Sequence, residues 1–157
     1  MPLIVWTDRM SVGVKLLDND HKGLVLLVNK LYDGVVAGRD RSSLNTFFEE
    51  LATLTRLHFY HEERLLSETG FPGAVVHRQE HDQLFDQFTD MQRRFTHSID
   101  LAGDIEVMYQ LRVWLFKHTQ GADQDFVAHL KAKGADAILA AWDKPNGVEP
   151  KRPGIQP

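Results

Sequence analysis

Two pairs of metal-ligating side chains occur at helical spacing in this sequence. His58 and Glu62 are four residues apart, and His77 and His81 have the same spacing. Residues four apart lie on one face of an α-helix, so each pair directs two ligands towards one point. Imidazole and carboxylate groups together suit non-haem iron, although zinc or manganese also binds such groups. The spacing therefore predicts two helices that each present a pair of metal ligands.

Two further sites lie on separate apolar segments. His21 stands near the start of one segment, and His118 is followed after five residues by Asp123. Five residues correspond to about 500° of rotation, so these two side chains diverge by about 140° on a straight α-helix. Both reach one site only if the helix loosens through a π-type bulge or ends, which Gly121 would permit. A regular exposed helix has no use for this spacing, whereas a carboxylate that bridges two metals does.

Each feature taken alone has an ordinary structural explanation. A single core histidine such as His21 is usually satisfied within the fold, and His58 with Glu62 is compatible with a surface ion pair. A His-x-x-x-His pair also occurs on exposed helix faces. The apolar neighbours that would keep a site dry are Leu54, Leu57, Phe59, Phe85, Trp114 and Leu115. Because all four features occur in one chain among such neighbours, we favour a buried metal site.

Long helices must position these ligands. The periodicity predicts helices over about 19–37, 43–69, 74–99 and 104–120, and a shorter helical piece over about 123–141 that is interrupted near Gly134. No window shows sustained period-two alternation, so no sheet is expected. Short loops between long helices favour an all-α, antiparallel up-down-up-down four-helix bundle with an N-terminal arm and a short C-terminal helix.

Polar residues and composition shifts mark the predicted boundaries. Asp18 or Asn19 is the expected cap of the first helix, Ser42 or Ser43 that of the second, and Gly103-Asp104 opens the fourth. Residues 1–17 hold apolar anchors without a clean period and are expected to form an arm across the helices. Residues 144–157 contain four of the six prolines, so we expect a mobile tail after a domain over 1–143.

The composition limits the function classes. The 157 residues contain no cysteine, which excludes thiolate zinc sites, Fe–S clusters and cysteine nucleophiles. The net charge of -4 makes a nucleic-acid partner a poor fit. The longest aliphatic stretch, residues 24–28, is far shorter than the roughly 20 residues that span a bilayer, and residues 1–6 lack a signal-peptide pattern. We therefore expect a cytoplasmic protein without membrane insertion.

The ligand pattern and its surroundings resemble the hemerythrins, specifically the bacterial single-domain members. The matching motifs are Asp18-Asn19-Asp20-His21, His58-Phe59-x-x-Glu62-Glu63, Gly70-Phe71-Pro72 and Trp114-Leu115-x-x-His118. The resemblance covers roughly residues 3–132. It implies seven iron ligands, which are His21, His58, Glu62, His77, His81, His118 and Asp123.

The resemblance also implies two non-haem iron ions with an oxo or hydroxo bridge. Two octahedral ions need twelve positions. Five imidazoles fill five, the bridging carboxylates of Glu62 and Asp123 fill four, and the single-atom bridge fills two. One position remains, where the family binds dioxygen.

In the family pattern the two irons have different ligands. The equivalents of His77, His81 and His118 hold the six-coordinate iron. Those of His21 and His58 hold the iron with the open position.

The implied function is reversible dioxygen binding for carriage, storage or delivery, without catalytic residues. A di-iron enzyme acting on peroxide or nitric oxide, or an oxygen or redox sensor, has the same ligands. We expect a monomer whose partners are dioxygen and an electron donor or an oxygen-consuming protein.

Phe59, Trp114, Leu115 and Thr119 are candidates for the wall of the oxygen pocket, although each is also explained as bundle core. Thr119 stands where the family has an apolar residue, commonly isoleucine. Its hydroxyl either faces bound oxygen or donates to its own i−4 carbonyl.

Four residues near these motifs have no assigned ligand role. His61, His97 and His129 are expected to be solvent-exposed. For His61, which lies about 60° off the face of His58, a place behind the ligands is the alternative. Glu63 is expected to be a surface acid or to support a ligand.

Overall fold

The computed structural model describes residues 1–120 and 124–142. Its helices are α1 (Lys15–Val36), α2 (Arg41–Glu68), α3 (Ala74–His97), α4 (Leu101–Gln120), α5 (Gln124–Lys133) and α6 (Ala135–Trp142). α1 packs against α2 and α4, and α3 packs against the same two helices. This confirms the predicted antiparallel four-helix bundle, and the described residues contain no strand. None of the described helices is long and apolar enough to cross a membrane.

The expected metal ligands lie on the same buried faces of the long helices as the apolar core residues. The buried residues of α2 recur at intervals of three or four and include Leu44, Phe48, Leu51, Thr55, His58, Glu62, Leu65 and Leu66. Such a stripe faces the interior of a bundle. The periodicity that packs the core therefore also carries the polar side chains into it.

α1 begins four residues earlier than predicted, because Asp18 has a different role. Val14 occupies the N-cap position, and no side chain caps the helix. The Asp18 carboxylate instead accepts hydrogen bonds from the backbone N–H of Val12 at 2.7 Å and the Ser11 hydroxyl at 2.6 Å. The prediction of a cap at Asp18 or Asn19 is therefore wrong, and Asp18 fixes the arm to the helix.

α2 and α4 also begin earlier, because aspartates just outside each helix supply the caps. Asp40 accepts hydrogen bonds from the backbone N–H and the hydroxyl of Ser43, so the predicted serine cap is wrong. Asp100 accepts from the backbone N–H of Gly103 at 2.8 Å, which places the predicted opening at Gly103-Asp104 inside the first turn of α4.

The C-terminal helical piece is divided. Gly134, with φ of +68°, separates α5 from α6, as the predicted interruption requires. Phe126 and Leu130 of α5 are buried in a second apolar cluster with Leu17 and Leu65. The predicted mobile tail over 144–157 lies outside the described residues.

The arm packs across the bundle as predicted. The Ile4 backbone N–H donates to Asn29 Oδ1 at 2.9 Å, and Asn29 Nδ2 donates back to the Ile4 carbonyl at 2.8 Å. Ile4 and Met10 join the main apolar core. One of the predicted apolar neighbours of the site, Leu57, is instead exposed, because it lies outside the contacts that α2 makes with the core.

One ion pair connects the helices at the end of the bundle away from the histidines. Both terminal nitrogens of Arg41 donate to the buried carboxylate of Asp104, at 2.8 and 2.9 Å, and Nη1 also donates to the Phe95 carbonyl.

We expect Arg41→Met to lower the free energy of unfolding by about 2 kcal/mol, because it leaves a buried carboxylate unpaired. The control Asp90→Asn removes an exposed acid and changes that free energy by less than about 0.5 kcal/mol. Urea denaturation measures both values, and equal losses would contradict the prediction.

Candidate metal centre

Five imidazoles and one carboxylate meet in the interior of the bundle. The contributing residues are His21 from α1, His58 and Glu62 from α2, His77 and His81 from α3, and His118 from α4. Their exposures range only from 0% to 5%. The structure therefore brings together all the predicted ligands that lie within its described residues.

One oxygen of Glu62 faces the histidines of α3. Its Oε2 lies 3.0 Å from His77 Nε2 and 2.9 Å from His81 Nε2. These three residues form one group whose ligand atoms all lie within 4.8 Å of one another. The group fits a single metal ion held by two nitrogens and one oxygen.

The other oxygen of Glu62 faces a second group of histidines. Its Oε1 lies 3.1 Å from His58 Nε2, 3.7 Å from His118 Nε2 and 3.8 Å from His21 Nε2. The Nε2 of His58 is 3.0 Å from that of His21, close to the separation of about 3.0 Å that two nitrogens 2.1 Å from one metal have at a right angle. Glu62 thus stands between two groups with one oxygen towards each, as a bridging carboxylate must.

His118 departs from the partition that the family pattern implies. Its Nε2 lies 2.6 Å from that of His58, and its ring centroid is 4.9 Å from the His58 ring and 5.4 Å from the His81 ring. The structure therefore groups His118 with His21 and His58 rather than with the histidines of α3. The difference between the two ring distances is small, because α4 places His118 between the groups.

The buried ligand atoms fit a cation better than they fit each other. Glu62 Oε1 and His81 Nε2 make no hydrogen bond with the described residues, although each has a neighbouring ligand atom about 3 Å away. Ligand atoms about 3 Å apart that do not hydrogen-bond to each other have the spacing of neighbouring ligands of one metal ion. Buried polar atoms without partners are rare and costly, and a bound metal satisfies both of these.

Burial and the Glu62 charge set the protonation of the cluster. Burial lowers the pKa of His21 to about 4 and that of His118 well below its usual value, because a buried imidazolium loses its hydration. Burial also acts against the charged form of His58, but the charge of Glu62 and the hydrogen bond to Asp20 outweigh it and raise the pKa of His58 to about 9. Burial favours neutral Glu62, yet His58 and His118 hold the pKa of this carboxyl well below its usual value. Glu62 is therefore ionised, and two imidazoles offer free lone pairs at neutral pH.

Two carboxylates contact the Nδ1 atoms of ligand histidines, on the side of each ring away from the cluster. Glu63 Oε1 lies 3.0 Å from His81 Nδ1, so the alternative that Glu63 supports a ligand fits the structure. Asp20 Oδ2 lies 3.4 Å from His58 Nδ1, a role that sequence reasoning missed. Both acids are buried. The available signal for Asp20 was its place beside His21 on α1, rotated about 100° away from it.

The remaining histidines differ from the prediction in two cases. His61 is largely buried, with Nδ1 2.6 Å from Asp20 Oδ2, so its predicted exposure is wrong. His129 is part-buried, with Nε2 3.0 Å from Thr69 Oγ1, so that prediction is also wrong. The exposure of His97 is confirmed.

The four predicted pocket residues are all buried, but their contacts differ. The Phe59 ring stacks on the His81 ring, with centroids 3.9 Å apart and planes inclined by 8°. Trp114 packs against Phe88, and its indole N–H donates to the Leu84 carbonyl at 2.9 Å. Of these four residues, Phe59 is therefore the best placed to cover a ligand ring.

The two buried threonines near the ligands use their hydroxyls differently. Thr119 donates to the Leu115 carbonyl at 3.0 Å, which is the i−4 alternative. The Thr55 hydroxyl, one turn before His58, has no hydrogen-bond partner among the described residues.

We expect Thr55→Val to raise the free energy of unfolding by about 1 kcal/mol, because it removes an unsatisfied buried hydroxyl. Thr119→Val is the matched control, and it should not raise the free energy of unfolding. Denaturation of both variants without metal measures this free energy. A lower value for Thr55→Val than for the wild type would contradict the prediction.

Comparison with known proteins places these features in one family. The profile of the hemerythrin HHE cation binding domain matches residues 12–130. The chain belongs to the hemerythrin family. This membership implies non-haem iron in the buried His and Glu cluster. Asp123, the remaining ligand of the hemerythrin pattern, and Gly121 lie outside the described residues.

Individual hemerythrins agree with this assignment. The chain is 28% identical over 132 residues to Bacteriohemerythrin of Stenotrophomonas maltophilia (strain R551-3), covering 84% of each chain. It is 30% identical over 129 residues to Bacteriohemerythrin of Methylococcus capsulatus (strain ATCC 33009 / NCIMB 11132 / Bath), covering 79% of this chain and 94% of that one. The crystal structure of wild-type hemerythrin superposes with a TM-score of 0.70 at 26% identity, over 82% of this chain and 98% of that one. The four-helix bundle is thus the hemerythrin fold.

Proposed function

We propose that this chain holds two iron ions and binds dioxygen reversibly at one open iron position. The observation that carries the proposal is Glu62, whose two oxygens face separate groups of histidines. Asp123 is the proposed second bridging carboxylate, and an oxo or hydroxo bridge completes the pair. The proposed nitrogen ligands are His21, His58, His77, His81 and His118.

The number of nitrogen ligands supports an open position. Five imidazoles divide unequally between two metal ions, while bridging groups serve both ions alike. One ion therefore has fewer protein ligands than its neighbour. The structure places three imidazoles in the group around Oε1 and two in the group around Oε2, whereas the hemerythrin pattern counts His118 with His77 and His81. We follow the hemerythrin pattern and assign the open position to the ion beside His21 and His58.

The surroundings of the cluster favour a small gas molecule as the ligand. Two cavities formed by the described residues, of about 760 and 730 Å³, have none of the six clustered ligands in their linings. The ligands themselves are almost fully buried. Burial of the ligands in the packed interior favours binding of a small molecule over turnover of bulky substrates.

The protein side chains position the metal and keep water away from it. Bound reduced iron supplies the electrons for reversible dioxygen binding. Glu62 stays ionised and fixes the spacing of the two groups, and Phe59 covers one face of the His81 ring. The apolar core adjoining the cluster limits access of water and protons, which protects reduced iron from irreversible oxidation. The proposed protein partner is an electron donor that reduces the iron again after it has been oxidised.

Repeated oxygenation tests the proposal. The protein is loaded with iron, reduced without oxygen, and taken through several cycles of oxygen addition and removal while the visible spectrum is recorded. A charge-transfer band that forms and disappears reversibly is expected. Immediate, irreversible conversion to the oxidised spectrum in the first cycle would contradict reversible binding and favour a peroxide or nitric oxide enzyme, or a sensor.

A further inference from the structure

A chain of contacts leads from the cluster to the protein surface through two residues outside the ligand set. His58 Nδ1 lies 3.4 Å from Asp20 Oδ2, and the same oxygen lies 2.6 Å from His61 Nδ1. His58 is fully buried and Asp20 nearly so, whereas the His61 side chain is 17% exposed. One carboxylate oxygen therefore contacts the back of a ligand on one side and a surface-facing imidazole on the other.

The packing of α1 on α2 produces this arrangement. His58 and His61 are one turn apart on α2, so both rings can reach the same point beside that helix. Asp20 precedes His21 on α1 and is turned about 100° from it. Because His21 faces the cluster, Asp20 lies beside it at the interface between the two helices.

We propose that Asp20 is the positioning residue for His58 and that His61 holds Asp20 in place from the solvent side. An imidazole that donates Nδ1–H to a carboxylate presents the lone pair of Nε2 to a metal, and this contact fixes the ring orientation. The inference rests on the proposed metal centre. It adds two residues that control the half of the centre to which the open position is assigned.

The other half of the centre is supported by different residues. Glu63 Oε1 lies 3.0 Å from His81 Nδ1, and Glu63 Oε2 lies 4.0 Å from Arg78 Nε. A guanidinium thus lies behind this carboxylate, where Asp20 has an imidazole. The two carboxylates occupy equivalent places behind different groups of ligands, so each serves as a control for the other.

The His61 side is also open to a cavity. His61 lines a cavity of about 730 Å³ between α1, α2 and α6, together with Tyr60 and Trp142. The His61 and Trp142 rings have centroids 6.4 Å apart. His58 is therefore positioned through residues that reach an accessible surface, which makes its environment sensitive to substitutions there.

Zinc-loaded protein tests the proposal independently of oxygen chemistry, because zinc has no redox activity. Zinc affinities come from competition with a chelator, and imidazole NMR spectra report the Nδ1–H signals of His58 and His81. We expect Asp20→Asn to weaken zinc binding beside His58 by about 10- to 100-fold and to shift the His58 signal. The affinity beside His81 and the His81 signal should change little. Glu63→Gln should have the reciprocal effect.

Two substitutions at His61 separate positioning from simple packing. His61→Gln keeps a side-chain donor for Asp20 and should preserve the His58 signal and the zinc affinity. His61→Phe keeps an aromatic ring without the donor and should reproduce part of the Asp20→Asn effect. Equal values for the two His61 variants would overturn the role assigned to His61.

The outcomes also separate this inference from the proposed function. If wild-type protein binds neither zinc nor iron at the cluster, the proposed metal centre itself is wrong. If wild-type protein binds two zinc ions and Asp20→Asn leaves both affinities and the His58 signal unchanged, the positioning role is wrong while the metal centre stands.

Discussion

Glu62→Gln should remove most of the bound metal while leaving the bundle folded. The amide nitrogen has no free lone pair, so at most one of the two histidine groups keeps an oxygen ligand. We expect the affinity for iron to fall by more than about 100-fold, beyond the usual effect of losing a partner behind a ligand. Metal analysis after gel filtration measures the iron retained per chain, and circular dichroism checks the helix content.

A second glutamate on the same helix provides the control for this substitution. Glu68 is exposed and pairs with Arg64 at 2.7 Å, outside the cluster. Glu68→Gln makes the same chemical change and should retain the iron content of the wild type. Full retention of two irons by a folded Glu62→Gln variant would show that Glu62 is not the bridge.

Removing the metal from wild-type protein should lower its thermal stability by a large amount. The cluster crowds five imidazoles around a buried carboxylate, and a metal that binds only the folded state satisfies their lone pairs. At free metal about 1,000-fold above Kd, each occupied site stabilises the folded state by about 4 kcal/mol. For a chain of this size each occupied site therefore raises Tm by roughly 8–16 °C.

Differential scanning calorimetry of metal-free and metal-loaded protein measures this difference. The Glu62→Gln variant should show little metal-dependent change, whereas Glu68→Gln should show the full shift. Identical Tm values for loaded and metal-free wild type would mean that metal binding is not coupled to this fold.

The clustering of the candidate ligands within the described residues could be predicted from the sequence, because helical periodicity links spacing to direction. His58 and Glu62 share a face of α2, and that face is also the apolar stripe of the helix. Once four helices form one bundle, their stripes face each other. The same rule predicts the convergence of histidines from different helices.

Features that depend on contacts between elements could not be found in this way. Asp18 is a residue type that often caps helices, but its carboxylate accepts hydrogen bonds from the N-terminal arm instead. Asp20 meets His61 across 41 residues of sequence, and that contact depends on how α1 is rotated against α2. Periodicity within one helix carries no information about such a rotation.

The use of the threonine hydroxyls and the grouping of His118 have similar causes. Thr119 had two open alternatives, and the choice depends on a rotamer that the sequence does not specify. His118 stands between two groups of ligands whose distances from it differ by only a few tenths of an ångström. Residue types and spacing do not specify a difference this small.

Anomalous scattering from crystals of the iron-loaded protein, measured on both sides of the iron absorption edge, tests the central claim most directly. We predict two iron peaks on opposite sides of the Glu62 carboxylate. One should lie beside Oε1 with His21 and His58, and the other beside Oε2 with His77 and His81. A single peak, or iron bound away from Glu62, would contradict the proposed centre.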